Sequence, residues 1–221
     1  PLTQFAILRE YLNDNTIIYD NVIWFFSTND LQNLEIELNS KILKKYLNND
    51  SFTQNLINNQ NIVDSILKNY LNKELEKEKK RFKNENNQKN INFKPIKQKF
   101  EIYNFLKLYN TRNILQLMPN HPNINTFKKI LSKAQIIVKK NNANFYFVYI
   151  PSINKFTTGR NYQFKKDVFD ITEELQIKTI DLTDVIKEVE NPLSLWPFEC
   201  CGHFNEKGTK KISEYTLKIL N

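Results

Sequence analysis

The stretch Asn21-Val22-Ile23-Trp24-Phe25-Phe26, closed by Ser27-Thr28-Asn29-Asp30, decides the fold. Bulky apolar side chains at every position from Val22 to Phe26 leave no polar face. That is the pattern of a strand covered on both sides, not of one with a face in water. A second run of this kind, NFYFVYI from Asn144 to Ile150, is stopped by Pro151, and TIDL from Thr179 to Leu182 reads as a third, shorter strand. Between them the apolar spacing changes to that of helices. Ile124, Phe127, Ile130, Leu131, Ala134, Ile137 and Val138 fall on one helical face, and Phe164, Val168, Ile171 and Leu175 on another. Helices alternating with doubly buried strands predict an α/β protein, a parallel sheet between two helical layers. In such sheets ligands bind at the carboxyl ends of the strands. The positions to examine therefore follow Phe26, Ile150 and Leu182, together with the entrance to the last helix.

Working outward, Leu2, Phe5, Leu8 and Leu12 predict a first helix, and residues 38–47 and 55–85 two more. The second of these fades into ELEKEKKRFKNENNQKN (74–90), which has little to bury and reads as an exposed helix end and loop. Residues 100–118 read as a further helix. The last helix is predicted over Glu206–Leu220, with Ile212, Tyr215, Thr216, Ile219 and Leu220 inward. Residues 48–123 read as a helical insertion into a single domain spanning 1–221. Three strands are few for this architecture, and an unfilled edge leaves unpaired backbone groups. A chain that starts at Pro1 and has Met118 as its only methionine fits the same expectation, that at least one strand of the fold precedes these 221 residues.

Composition excludes much chemistry. With 3 glycines there is no GxGxxG turn and no Gly-rich phosphate loop. With 2 histidines, His121 and His203, and two adjacent cysteines, Cys200 and Cys201, there is no zinc-finger spacing and no multi-histidine centre. No metal or organic cofactor is implied. The net charge of +8 is concentrated in residues 68–99, which hold eleven Lys or Arg against four Asp or Glu. Elsewhere the balance is 21 to 20. With 28 lysines to four arginines and no nucleic-acid motif, this segment reads as a solvated Lys/Glu helix; a polyanion-binding tail is the alternative. No run of about 18 apolar residues occurs, so no membrane span is expected. Paired cysteines do not fix a compartment.

Two segments could carry chemistry. Thr28-Asn29-Asp30 directly follows a buried strand, where a side-chain amide can donate to a developing oxyanion; equally, Asn and Asp there can make the turn and cap the next helix. FECCGHFNEKG, Phe198 to Gly208, places a histidine in a loop that opens a helix, a position that suits a general base. Here Asn205 and Glu206 start the helix and Gly208 permits close packing.

Taken together, WFFSTNDL and GHFNEKG resemble the Asn and His blocks of the SGNH/GDSL hydrolases; PLTQFAILREYL resembles the stretch that follows the Gly block in a bacterial subgroup, and VYIPS and IDLTD fall where the family's later strands lie. The resemblance implies a three-layer, flavodoxin-like α/β/α fold with its first strand absent from this chain. It makes Asn29 the side-chain oxyanion donor and His203 the general base for a serine supplied upstream. It also implies an acyl-ester substrate, such as an O-acetylated envelope carbohydrate or a lipid, handled by hydrolysis or acyl transfer in a bacterial cytoplasm or cell envelope. The chain departs from the pattern in three respects. No serine or glycine block is present, Thr28 stands where a glycine usually precedes the Asn, and Cys200 stands where an acid usually precedes the His by three. Glu199 is the neighbouring acid that could orient the imidazole. Ser152, at the end of the second strand, lies in the wrong block for a nucleophile, and a Cys–His pair is the thiol alternative. A non-catalytic SGNH-like binding domain is the rival reading; oligomeric state is left open.

Overall fold

The computed structural model describes residues 1–12, 18–87, 121–200 and 202–220, with side chains as far as Arg81 in the second stretch. Residues 100–118, read as a helix, lie outside the described residues. The chain forms two compact units, one of Pro1–Thr53 with Pro119–Asn221 and one of Gln54–Met118. The second lies inside the 48–123 stretch read as an insertion.

The first unit is built on a parallel sheet of β1 (Asn21–Ser27), β2 (Asn144–Ile150) and β3 (Lys178–Asp181), in that order. Ser27 pairs with Ile150 and Tyr149 with Asp181, so the carboxyl ends of the strands are level. Side chains alternate across the sheet. Trp24, Phe26, Phe145, Phe147 and Tyr149 enter one core with α1 (Leu2–Leu12), α2 (Asp30–Glu37), α3 (Lys41–Asn48) and, later in the chain, α5 (Ile124–Lys140) and α7 (Lys165–Glu174). Tyr146, Val148 and Ile180 enter the other core with α8 (Leu182–Lys187) and α9 (Glu206–Leu220). A short α6 (Asn154–Thr157) follows β2. Mixed α/β architecture with a parallel sheet between helices is thus observed.

Several expectations are refined. The strand β1 is only partly covered on its second face: Ile23 packs against the core that holds α8 and α9, while Phe25 is 39 % exposed. Among the described residues β1 pairs only with β2, and on its other side Gln4 Nε2 of α1 donates to Phe25 O (3.1 Å). The third strand ends at Asp181, and Leu182 opens α8, because the Asp181 carboxylate accepts from Thr183 N (2.9 Å) and caps a helix there. Ser40 caps α3 through Leu43 N (3.3 Å), which moves that helix start from 38 to 41, and α2 fills the gap before it. In α9, Ile219 is exposed, and Gly208, Ile212 and Thr216 form the buried stripe.

A buried charged clamp closes the other end of this unit's first segment. Arg9, 2 % exposed, donates to the carbonyls of Tyr46, Asn49, Asp50 and Phe52, while Tyr46 Oη and Thr53 Oγ1 donate to the buried Glu10. Five N–H donors in a planar fork suit a guanidinium to such a nest of carbonyls. This is why residues 49–53, which lack regular structure, belong to the first unit.

In the second unit the described element is α4 (Gln60–Asn87). Its charged part is laced by Lys77–Glu74, Lys79–Glu76 and Arg81–Glu78 pairs, the pattern of a solvated helix.

Candidate active site

Three loops leave the level carboxyl ends of the strands. After β1, the turn Ser27–Asp30 is held by its own side chains. Asp30 reaches back to accept from Ser27 N (3.0 Å) and from Ser27 Oγ (3.3 Å), and Ser27 Oγ lies 2.5 Å from Asn29 Oδ1. The turn is therefore closed by Asp30, and Asn29, at the N-cap position of α2, makes no side-chain cap. The hydroxyl engages the amide oxygen, and Asn29 is exposed.

Burial raises the Asp30 carboxyl above the usual range, with hydrogen bonds from Ser27 only partly opposing it. Its charge in turn adds to the effect of burial on Tyr162, whose hydroxyl is pushed well above the usual phenol range. After β2, Ser152 Oγ accepts from Asn154 N (3.2 Å), which engages it in starting α6. After β3, Asp181 pairs with Lys165 Nζ at 2.5 Å, and the ammonium lies over the Tyr149 ring (4.9 Å).

The His203 loop is fixed at both ends. Asn191 caps the 3-10 turn Pro192–Leu195 by accepting from Leu193 N (3.2 Å). The Trp196 ring then packs against Phe204 (4.4 Å between centroids) and Phe156 (5.6 Å). Asn205 N donates to Leu195 O (2.9 Å), and Asn205 Oδ1 accepts from Gly208 N (3.0 Å), capping α9. Gly208 is required here: a Cβ would lie 2.5 Å from Leu195 O. Gly202 has φ +83°, a conformation that glycine adopts without strain. Two glycines thus shape the loop for different reasons, one torsional and one steric.

Within this loop His203 is exposed, and no hydrogen bond joins it to Asn29 or Glu199. Glu199 instead accepts from Asn191 Nδ2 (2.9 Å) and has a backbone φ of +55°. Cys200 is exposed, and Cys201 lies outside the described residues. The other histidine, His121, accepts from Asn123 N (3.2 Å) and packs edge-on against Phe164; burial lowers its imidazole below the usual value.

At the first turn Asp30 makes the turn, as Asn or Asp was expected to, and Ser27, which the sequence did not mark, engages Asn29. Asn191 holds Glu199 from eight residues away, and no local signal announces it.

Among the described residues no group of three or more His, Cys, Asp or Glu side chains could hold a metal ion, and no helix is long and apolar enough to cross a membrane. Comparison with known protein families, characterised proteins and solved structures finds no match for this chain.

Proposed function

We propose that this chain belongs to an SGNH-type ester hydrolase or O-acyltransferase, acting on an acyl ester by a Ser–His mechanism whose serine lies upstream of these 221 residues. In this reading the serine attacks the carbonyl carbon and His203 takes its proton. The Asn29 amide donates to the oxygen as it gains negative charge, and the proton returns from His203 to the leaving alcohol.

One observation carries the reading. An exposed amide, Asn29, sits at the carboxyl end of a parallel strand, its oxygen held by Ser27 and its side chain not used in capping α2. A preorganised donor of this kind stabilises an oxyanion by about 3 kcal/mol because it need not reorient as charge develops. The His203 loop supports the same reading, since its histidine is exposed while both ends of the loop are packed and capped.

The test is turnover of p-nitrophenyl acetate by the protein with its upstream segment. His203→Ala lowers the rate by several orders of magnitude and Asn29→Ala by about 10²-fold or more. A near-normal rate for either variant rejects the assignment.

A further inference from the structure

Six large apolar side chains of α4 stand in water. Ile62, Ile66 and Tyr70 form one i, i+4 row along the helix, and Leu67, Leu71 and Leu75 form the row beside it. Each is 51–64 % exposed. A contiguous apolar face of this size marks a contact surface rather than the scattered exposure of an ordinary solvated helix.

The charges around this face say what it meets. Over residues 60–73 the one acid is Asp64, to which Gln60 Nε2 donates (2.7 Å), and the bases are Lys68 and Lys73. Lys68 lies three residues before Leu71 and Lys73 three after Tyr70, so the two lysines flank the apolar face on opposite sides. Further along, Glu74, Glu76 and Glu78 are taken up by Lys77, Lys79 and Arg81. Lys68, Lys73 and Lys80 are exposed and form no ion pair among the described residues. The glutamates are thus matched within the helix, and the surplus charge is positive.

From these features we infer that α4 lies on a membrane surface rich in anionic phospholipid, with its apolar rows in the acyl boundary and its unpaired lysines at the headgroup phosphates. Long lysine stems that leave the margins of an apolar face for charged headgroups are the arrangement of an interfacial helix. The stripe Ile62–Leu75 is 14 residues, about 21 Å, against roughly 30 Å of hydrocarbon core, so the helix lies along the bilayer and does not cross it. A second copy of α4 fits the face less well. With Val63, Ile66 and Tyr70 in the seam of a coiled coil, the next seam positions are Lys73 and Lys77, and two ammonium groups end the repeat. The membrane is here a docking surface and not the substrate, and the inference does not rest on the proposed ester chemistry.

The experiment is cosedimentation of the 221-residue chain with vesicles of equal parts phosphatidylglycerol and phosphatidylcholine, beside vesicles of phosphatidylcholine alone. The wild type is expected to sediment with the anionic vesicles, less so as ionic strength rises, and to stay in solution with the neutral ones. Leu67→Gln with Leu71→Gln removes apolar contact without adding charge, and weakens binding about tenfold or more. Lys68→Gln with Lys73→Gln weakens it by a similar factor. Both double variants keep the wild-type thermal midpoint, because the altered side chains are exposed. A wild type that stays in solution with anionic vesicles, or that binds neutral vesicles equally well, overturns the inference. So does a leucine variant that binds as tightly as wild type. Self-association without lipid that the leucine variant abolishes would assign the face to a second copy, and a lowered midpoint for that variant would assign it to another part of the same chain; either result also overturns the inference.

Discussion

Gly208→Ala tests how the His203 loop is built. The added Cβ would lie 2.5 Å from Leu195 O, 2.8 Å from Phe204 Cδ1 and 3.0 Å from Phe204 Cβ. None of these atoms yields easily. The Leu195 carbonyl already accepts from Asn205 N, the bond that fixes the entry of α9, and the Phe204 ring is packed on Trp196. Relief therefore means displacing the helix start from the 3-10 turn. Such overpacking costs about 1–3 kcal/mol, and contact with a backbone atom puts this case near the top of that range. Against it, alanine gains up to about 1 kcal/mol over glycine in a helix. The net is about 2 kcal/mol of destabilisation, or roughly 4–8 °C in thermal midpoint for a protein of this size.

Gly202→Ala is the comparison, because nothing lies within 4 Å of its Cβ and only the positive φ is at stake. Its cost is about 1 kcal/mol. Circular dichroism melts of both variants decide the matter. A Gly208→Ala midpoint equal to or above wild type, or a Gly202→Ala loss larger than that of Gly208→Ala, refutes the packing argument.

Arg9→Met deletes the donors to four carbonyls in a buried site and is expected to cost about 3–5 kcal/mol in urea unfolding. Arg9→Lys should fail to rescue it, since an ammonium cannot span the same fork; full stability of either variant contradicts the clamp. Asp30 gives a pH signature. Burial raises its folded-state pKa, so the folded form holds the proton more tightly and the carboxyl's contribution to stability falls as pH rises through that value. Asp30→Asn should therefore compare best with wild type at pH 7 and lose that relative advantage as pH drops toward 4. A gap that moves the other way in thermal melts removes the burial argument.

How far the sequence anticipates this structure depends on whether the deciding forces are local. The strands β1 and β2 are readable to within a residue because every position between their turns is bulky and apolar. The helix α9 is readable to its ends because Asn205, Gly208 and the apolar stripe coincide. The short helices α2 and α8 escape notice because a single carboxylate, Asp30 or Asp181, turns a strand exit into a helix entry within two residues. At the site, Asn29 and His203 fall on the expected loops. What orients them does not follow from spacing, because Ser27 engages Asn29 sideways and Glu199 accepts from Asn191, eight residues away. The left-handed backbone at Phe198 and Glu199 has no compositional signal, since neither residue favours it.

The sheet pairing also sets an order of events in folding. Asn21 pairs with Asn144, 123 residues later in the chain. On a ribosome adding about 5–20 residues per second, β1 waits roughly 6–25 s for its partner strand to be made. During that interval Val22 to Phe26 lacks its β2 partner, while all of Gln54–Met118 is synthesised. Closing so long a loop adds little to its thermodynamic cost, because the entropy grows only with the logarithm of length. Its kinetic effect is larger: the first unit assembles late and from two separated pieces, and the nascent chain is most exposed to misassociation before Asn144 emerges.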